Sequence, residues 1–306
     1  MSEKQKWERG MLFFLMIISL VVANNSSFGQ TKNFNIYVRK NMYNIEDYFI
    51  QNNIFKYYNI LGENYIDPHK TGDIDSESVC TGINLLYPNR DSFGYLVLDI
   101  ENKVVKDFKK YPLNDSRYID AFSKLKELIS LARELRPNLK ISLYGLPYRV
   151  YFSSQNKWND QRKLDPLLSM CDFIAPSLYI LYPNKEKGSN ANESYLKQNL
   201  KNALDFGKRL DKPVLPFVWY AVSPGNSRFG GEVLEKQEMV NEIELIRNFI
   251  WEGIKVEGVI WWEPSERAFQ NLIKLPQSIE EKSKITKDKN VIIREYTEPF
   301  LKLDKF

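Results

Sequence analysis

The sequence predicts an α/β fold, with the strands parallel and closed into a barrel. Three observations carry this. Short apolar runs recur along the chain and are continuous rather than alternating, as parallel strands covered on both faces require. Amphipathic stretches separate them in an unbroken strand–helix–strand rhythm. No glycine-rich turn follows the first strand, which argues against a doubly wound sheet.

In chain order, the strands expected are "FNIYV" (34–38), "INLLY" (83–87), "GYLVLDI" (94–100), "KISLYGL" (140–146), "DFIAPSLYI" (172–180), "PVLPFVWY" (213–220) and "EGVIWW" (257–262). Between them, "RYIDAFSKLKELISLAREL" places Ile119, Phe122, Leu125, Ile129 and Ala132 on one helical stripe, and Pro137 ends it. "ESYLKQNLKNALDFGKRL" and "EMVNEIELIRNFIWEG" repeat the pattern, the second stopping at Gly253. From about residue 276 the chain is charged and reads as a terminal helix and surface tail. No repeat or low-complexity linker divides it, so residues 30–306 read as one domain.

Residues 1–29 read differently. Lys4, Lys6 and Arg9 precede the apolar run "MLFFLMIISLVVA", followed by polar "NNSSFGQ". The run is shorter than the roughly 20 residues that span a bilayer. Ser27 and Gly29 are spaced as at a cleavage site. The segment reads as a secretory signal peptide, with an uncleaved anchor as the alternative. The expected location is secreted or periplasmic, without stable membrane insertion after cleavage.

Among 306 residues, 43 Lys and Arg face 39 Asp and Glu, a net +4. That surplus is too small to point to nucleic acid, yet compatible with an acidic partner. The single histidine, His69, precedes Thr71-Gly72-Asp73 in an expected surface loop. It leaves little basis for a histidine-driven nucleophile or a metal site, and no cofactor is indicated. Cys80 and Cys171 fit no metal spacing; a disulfide across the core and two small buried residues are both open readings. The chemistry therefore falls to carboxylates, tyrosines and amides.

Barrel enzymes carry their sites at the C-terminal ends of the strands. Here those ends hold Asp99 and Glu101, Tyr148, Tyr179, Trp219 and Tyr220, then Trp261, Trp262 and Glu263. Carboxylates among tyrosines and tryptophans suit a sugar: rings stack on pyranose faces and polar groups take hydroxyls. Asp99 and Glu101, two apart on a strand, face the same way. Two adjacent carboxylates resist joint ionisation, so one keeps a proton at neutral pH. Such a pair is too close to act as the separated acid and nucleophile of ordinary glycosidases. It suits a reaction in which the substrate's 2-acetamido oxygen is the nucleophile.

The motifs in order resemble the hyaluronidase family of glycoside hydrolases. The resemblance rests on "FNIYV", "YLVLDIE", "LRPNLKISLYGLPYRVY", "CDFIAPSLYI", "KPVLPFVWY" and "EGVIWWEPSE", and runs from about residue 34 to 275. It implies a distorted TIM-type barrel of about seven strands and retaining endo-hydrolysis of a 2-acetamido-sugar polymer such as hyaluronan or chondroitin. It implies Glu101 as general acid/base, Asp99 as the holder of the acetamido group, and Tyr179 and Tyr148 as partners of the reacting sugar. Trp262 would floor that subsite, with Trp219 and Tyr220 lining the groove.

The chain departs from the family at Asn102 to Val105, after the carboxylates, at Arg149, and at Glu263. These positions alter groove walls more than the reacting centre. Arg149, Lys103 and Arg228 could meet a substrate carboxylate. A noncatalytic carbohydrate-binding barrel and a chitinase-like endo-N-acetylglucosaminidase are the alternative functions. A chitinase motif would continue upstream, where Tyr95 and Val97 stand instead of acids.

Overall fold

The computed structural model describes residues 34–274 and 288–303. Six parallel strands are ordered β4-β3-β2-β1-β6-β5. They are β1 (Asn35–Arg39), β2 (Phe55–Leu61), β3 (Gly94–Leu98), β4 (Leu139–Leu143), β5 (Phe217–Val218) and β6 (Gly258–Trp261). Residues 172–178 join the two edges. Ala175 bridges Tyr144 beyond β4, Ile174 bridges Val214, and Ser177 bridges Phe217, all in parallel. With this seventh, irregular strand the sheet curls into the distorted TIM-type barrel. Its irregularity has a cause: Pro176, Pro213 and Pro216 carry no N–H for a ladder, although all three carbonyls still accept.

Leu96, Val97 and Leu98 of β3 and all of β6 are buried, because helices cover the outer face and side chains fill the inside. Gly258 permits the close β1–β6 contact, since a Cβ there would lie 2.2 Å from the carbonyl oxygen of Asn35.

The longer helices are α1 (Ser76–Leu86), α2 (Lys103–Lys110), α3 (Ser116–Leu135), α4 (Gln161–Leu168), α5 (Ser189–Leu210), α6 (Lys236–Asn248) and α7 (Lys289–Leu303). The expected strand at 83–87 is the end of α1. Asp75 caps that helix by accepting from the Ser78 amide, and Val79, Gly82 and Ile83 form its buried face. The missing strand is β2, where exposed Lys56 and Tyr57 interrupt the apolar run.

In α3 the buried face is Tyr118, Ala121, Leu125, Leu128, Ile129 and Ala132. Ile119 lies about 100° away from Tyr118 around the axis and is 55% exposed. Helix α6 ends at Asn248 rather than Gly253; Gly253 instead occupies a turn bridged by Trp251 and Ile254, with φ 83°.

The terminal helix α7 is a core element. It buries Ile292, Ile293, Tyr296 and Phe300, and the Tyr296 hydroxyl donates to the Leu234 carbonyl at 2.6 Å. Cys80 and Cys171 are both free thiols, and burial pushes the Cys171 thiol up to about 11. His69 is exposed, as expected of a surface loop. The expected signal segment, residues 1–29, lies outside the described residues. Among the described residues no helix is long and apolar enough to cross a membrane.

Candidate active site

The site begins where β3 ends. The Asp99 amide donates to the Leu61 carbonyl at 2.9 Å, which extends the β2–β3 ladder to the rim. One Asp99 carboxylate oxygen, Oδ1, is buried with no hydrogen-bond partner among the described residues. Burial first, then the charges of Glu101 and Glu63, pushes the Asp99 carboxyl up to about 7, against the pull of Arg39. Two residues on, Glu101 is exposed at the mouth. Desolvation and Glu63 raise its carboxyl too, while Arg149 and Lys106 oppose the rise. Two neighbouring carboxyls are thus both biased toward holding a proton.

Beyond Glu101 the chain turns at once into α2. The Asn102 side chain caps that helix, accepting from the Val104 amide at 2.9 Å. It also donates to Asp67 at 3.0 Å and to the Asp73 carbonyl at 3.3 Å.

Tyr179 lies under the mouth, with its hydroxyl unpartnered among the described residues. Its ring centroid is 5.7 Å from Trp262, 6.1 Å from Trp219 and 6.3 Å from Tyr144. Burial raises the Tyr179 phenol well above its ordinary value, with Tyr144 and Asp99 adding to the effect. Trp262 is half-buried and stands edge-on to Trp219 at 4.9 Å. Asp99, Tyr179 and Trp262 are therefore brought together.

Trp219 and Tyr220 do not line a groove. Both are completely buried. The Tyr220 hydroxyl donates to Glu263 at 2.8 Å, and the Tyr43 hydroxyl donates to the other oxygen at 2.8 Å. Strand-end position put these rings near the site, but packing turns them into the core. Glu263 is wholly buried between the two phenols, and burial pushes its carboxyl up to about 7.

A cavity of about 350 Å³ opens beside Glu101, lined by Lys109, Tyr144, Tyr148, Arg149 and Trp158 among others. The Tyr148 hydroxyl is also buried and unpartnered among the described residues. Of the three cations considered from sequence, only Arg149 lines this cavity. Its Nη1 donates to the Tyr179 carbonyl at 3.3 Å and to Ser223 Oγ at 3.2 Å. Lys103 pairs with Asp107, and Arg228 with Glu186 at 3.6 Å, both away from it.

Sequence reasoning missed Glu63, Tyr144, Lys106, Lys109 and Trp158. Tyr144 stood in an expected strand end and could have been found. Glu63 follows β2 and was hidden with it. Among the described residues no group of three His, Cys, Asp or Glu side chains is placed to hold a metal ion.

Fold and site together define a distorted parallel barrel with a carboxylate pair at its mouth. The fold is similar to that of bee venom hyaluronidase, with a TM-score of 0.59 and 16% identity over 87% of this chain and 98% of that one. The same enzyme in complex with a hyaluronic acid tetramer gives a TM-score of 0.58 and 16% identity, covering 87% and 96%. No protein-family model and no curated protein sequence matches the chain.

Proposed function

We propose that the protein is a secreted retaining endo-glycosidase that cleaves a 2-acetamido-sugar polymer of the hyaluronan or chondroitin type. The observation that carries this is the Asp99–Glu101 pair at the end of β3. Its partners there are a buried phenol, a half-buried indole and an open cavity. The similarity to a hyaluronidase fold supports the reading.

In the first step Glu101 gives its proton to the glycosidic oxygen. The bond from that oxygen to the anomeric carbon breaks as the acetamido carbonyl oxygen bonds to the same carbon from the opposite face. Asp99 takes a hydrogen bond from the acetamido N–H through its unpartnered oxygen, and so supports the positive charge that develops on the ring. In the second step Glu101, now ionised, takes a proton from water. The water oxygen bonds to the anomeric carbon, the acetamido group leaves, and the original configuration returns. Tyr179 donates to the oxygen end of the acetamido group, while Trp262 packs against its methyl end.

The test compares the purified chain with Glu101→Gln on hyaluronan, chondroitin and chitin oligomers. Loss of a general acid costs roughly 10²–10⁴-fold in rate. Cleavage by the parent with such a loss in the variant is the expected result. No cleavage of any polymer overturns the assignment and favours a binding barrel, whereas equal cleavage by both chains overturns Glu101 as the general acid. Cleavage confined to chitin oligomers moves the substrate to the chitinase type.

A further inference from the structure

We infer that Lys109, with Lys106 and Arg149, forms an anion-reading wall that selects a carboxylate or sulfate on the leaving-group sugar. The inference rests on the proposed function for which sugar is meant, and on the cavity's own chemistry for the charge.

The cavity includes Glu101 but not Asp99, Tyr179 or Trp262. A general acid stands at the scissile oxygen. The sugar on the acetamido side meets Asp99, Tyr179 and Trp262, so the sugar in the cavity is the one that departs.

Three cations line that cavity against one carboxylate, Glu101, which itself must hold a proton to react. Lys106 and Lys109 stand three apart on α2 and share a face. The helix leaves the catalytic strand directly and is capped by Asn102, so the mount is rigid. The Lys109 ammonium sits 3.4 Å from the ring centroid of Trp158 and 4.7 Å from that of Tyr148. These rings hold the cation without neutralising it. Among the described residues none of the three cations has an ion-pair partner, and Arg149 is fixed by the neutral Tyr179 carbonyl and Ser223 hydroxyl. Burial, then Arg149, lowers the affinity of Lys109 for its proton. An anionic group in the cavity relieves both penalties. The indole face that holds the ammonium is no longer open to a sugar ring, so Trp158 acts here as the holder of the cation.

The wall has a second consequence. Arg149 and Lys106 work against the raised carboxyl of Glu101. An acidic sugar that neutralises them leaves Glu101 holding its proton more firmly. The acidic substrate thereby favours the acid form that cleaves it.

Binding is measured first, in the Glu101→Gln chain with and without Lys109→Met, which keeps the apolar stem against Trp158. Ligands are hyaluronan oligosaccharides, their carboxyl-reduced counterparts, and chondroitin with and without sulfate. The expected result is about tenfold weaker binding of the acidic ligands on losing Lys109, the scale of one charge-assisted contact. Binding of the carboxyl-reduced ligand stays unchanged, and Lys109→Arg restores the acidic preference. The carboxylate-only and sulfated ligands separate the two anionic groups. Equal weakening for acidic and neutral ligands, or no weakening for either, overturns the wall.

Turnover provides the second readout. For acidic substrates the alkaline limb of kcat lies above that of kcat/KM, whereas for neutral ones the limbs coincide. Coinciding limbs for acidic substrates overturn the second consequence. Acidic binding that depends on Lys109 in a chain that cleaves nothing upholds the wall and overturns the proposed function. Cleavage indifferent to Lys109 does the reverse.

Discussion

Asn102 donates to Asp67 at 3.0 Å and thereby ties the residue after Glu101 to the loop that follows β2. Asp67 also accepts from the amides of Thr71 and Gly72, each at 2.8 Å, and from the Thr71 hydroxyl at 3.1 Å. Desolvation opposes ionisation of Asp67, but these donors hold its carboxyl below its ordinary value. The same Asn102 caps α2, so one side chain fixes Glu101, the cationic helix and the 67–73 loop together. This gives the sequence departure at 102 a structural purpose.

Asn102→Ala is therefore expected to lower stability by about 1 kcal/mol or more, the cost of a lost N-cap. It also strips one donor from Asp67. The loss is read by urea unfolding. Because Glu101 adjoins the cap, kcat is expected to fall more than KM rises. An unchanged unfolding midpoint contradicts the assignment.

Burial pushes Asp99, Glu238 and Glu263 up to about 7. Unfolded carboxyls titrate near about pH 4. Between those values the native chain keeps protons that the unfolded chain has released, so stability falls as pH rises through the window and levels off above it. Unfolding free energy should accordingly be larger at pH 5 than at pH 8. Tyr220→Phe sharpens this. It removes one of two donors to the buried Glu263 and costs about 1–3 kcal/mol at pH 8, where that carboxyl is ionised. The cost is smaller at pH 5. A pH-independent loss would show that Tyr220 acts through packing alone.

Glu63 raises both Asp99 and Glu101, the pair proposed as catalytic. Removing its charge with Glu63→Gln lowers both, so Glu101 loses its proton at lower pH. The alkaline limb of the rate profile should move to more acid pH, with activity at pH 5 retained. An unmoved limb would show that Glu63 does not act on the pair.

The sequence by itself determined the alternation of strands and helices, and it set Asp99 and Glu101 two residues apart just beyond a strand. The alternation follows from local periodicity, which neighbouring residues dictate. It misjudged "INLLY", because a short apolar run has the same composition on a helix as in a strand. It passed over β2, because exposed Lys56 and Tyr57 broke the run. Tertiary structure alone decided which strand-end aromatics open to solvent: Trp262 does, whereas Trp219 and Tyr220 pack inward, since burial depends on what the rest of the chain lays over a side chain. It also brought Glu63, Arg149 and Trp158 to Glu101. These three lie far from Glu101 along the chain and reach it only when the barrel closes, while Lys109 stands on the helix that follows Glu101 directly.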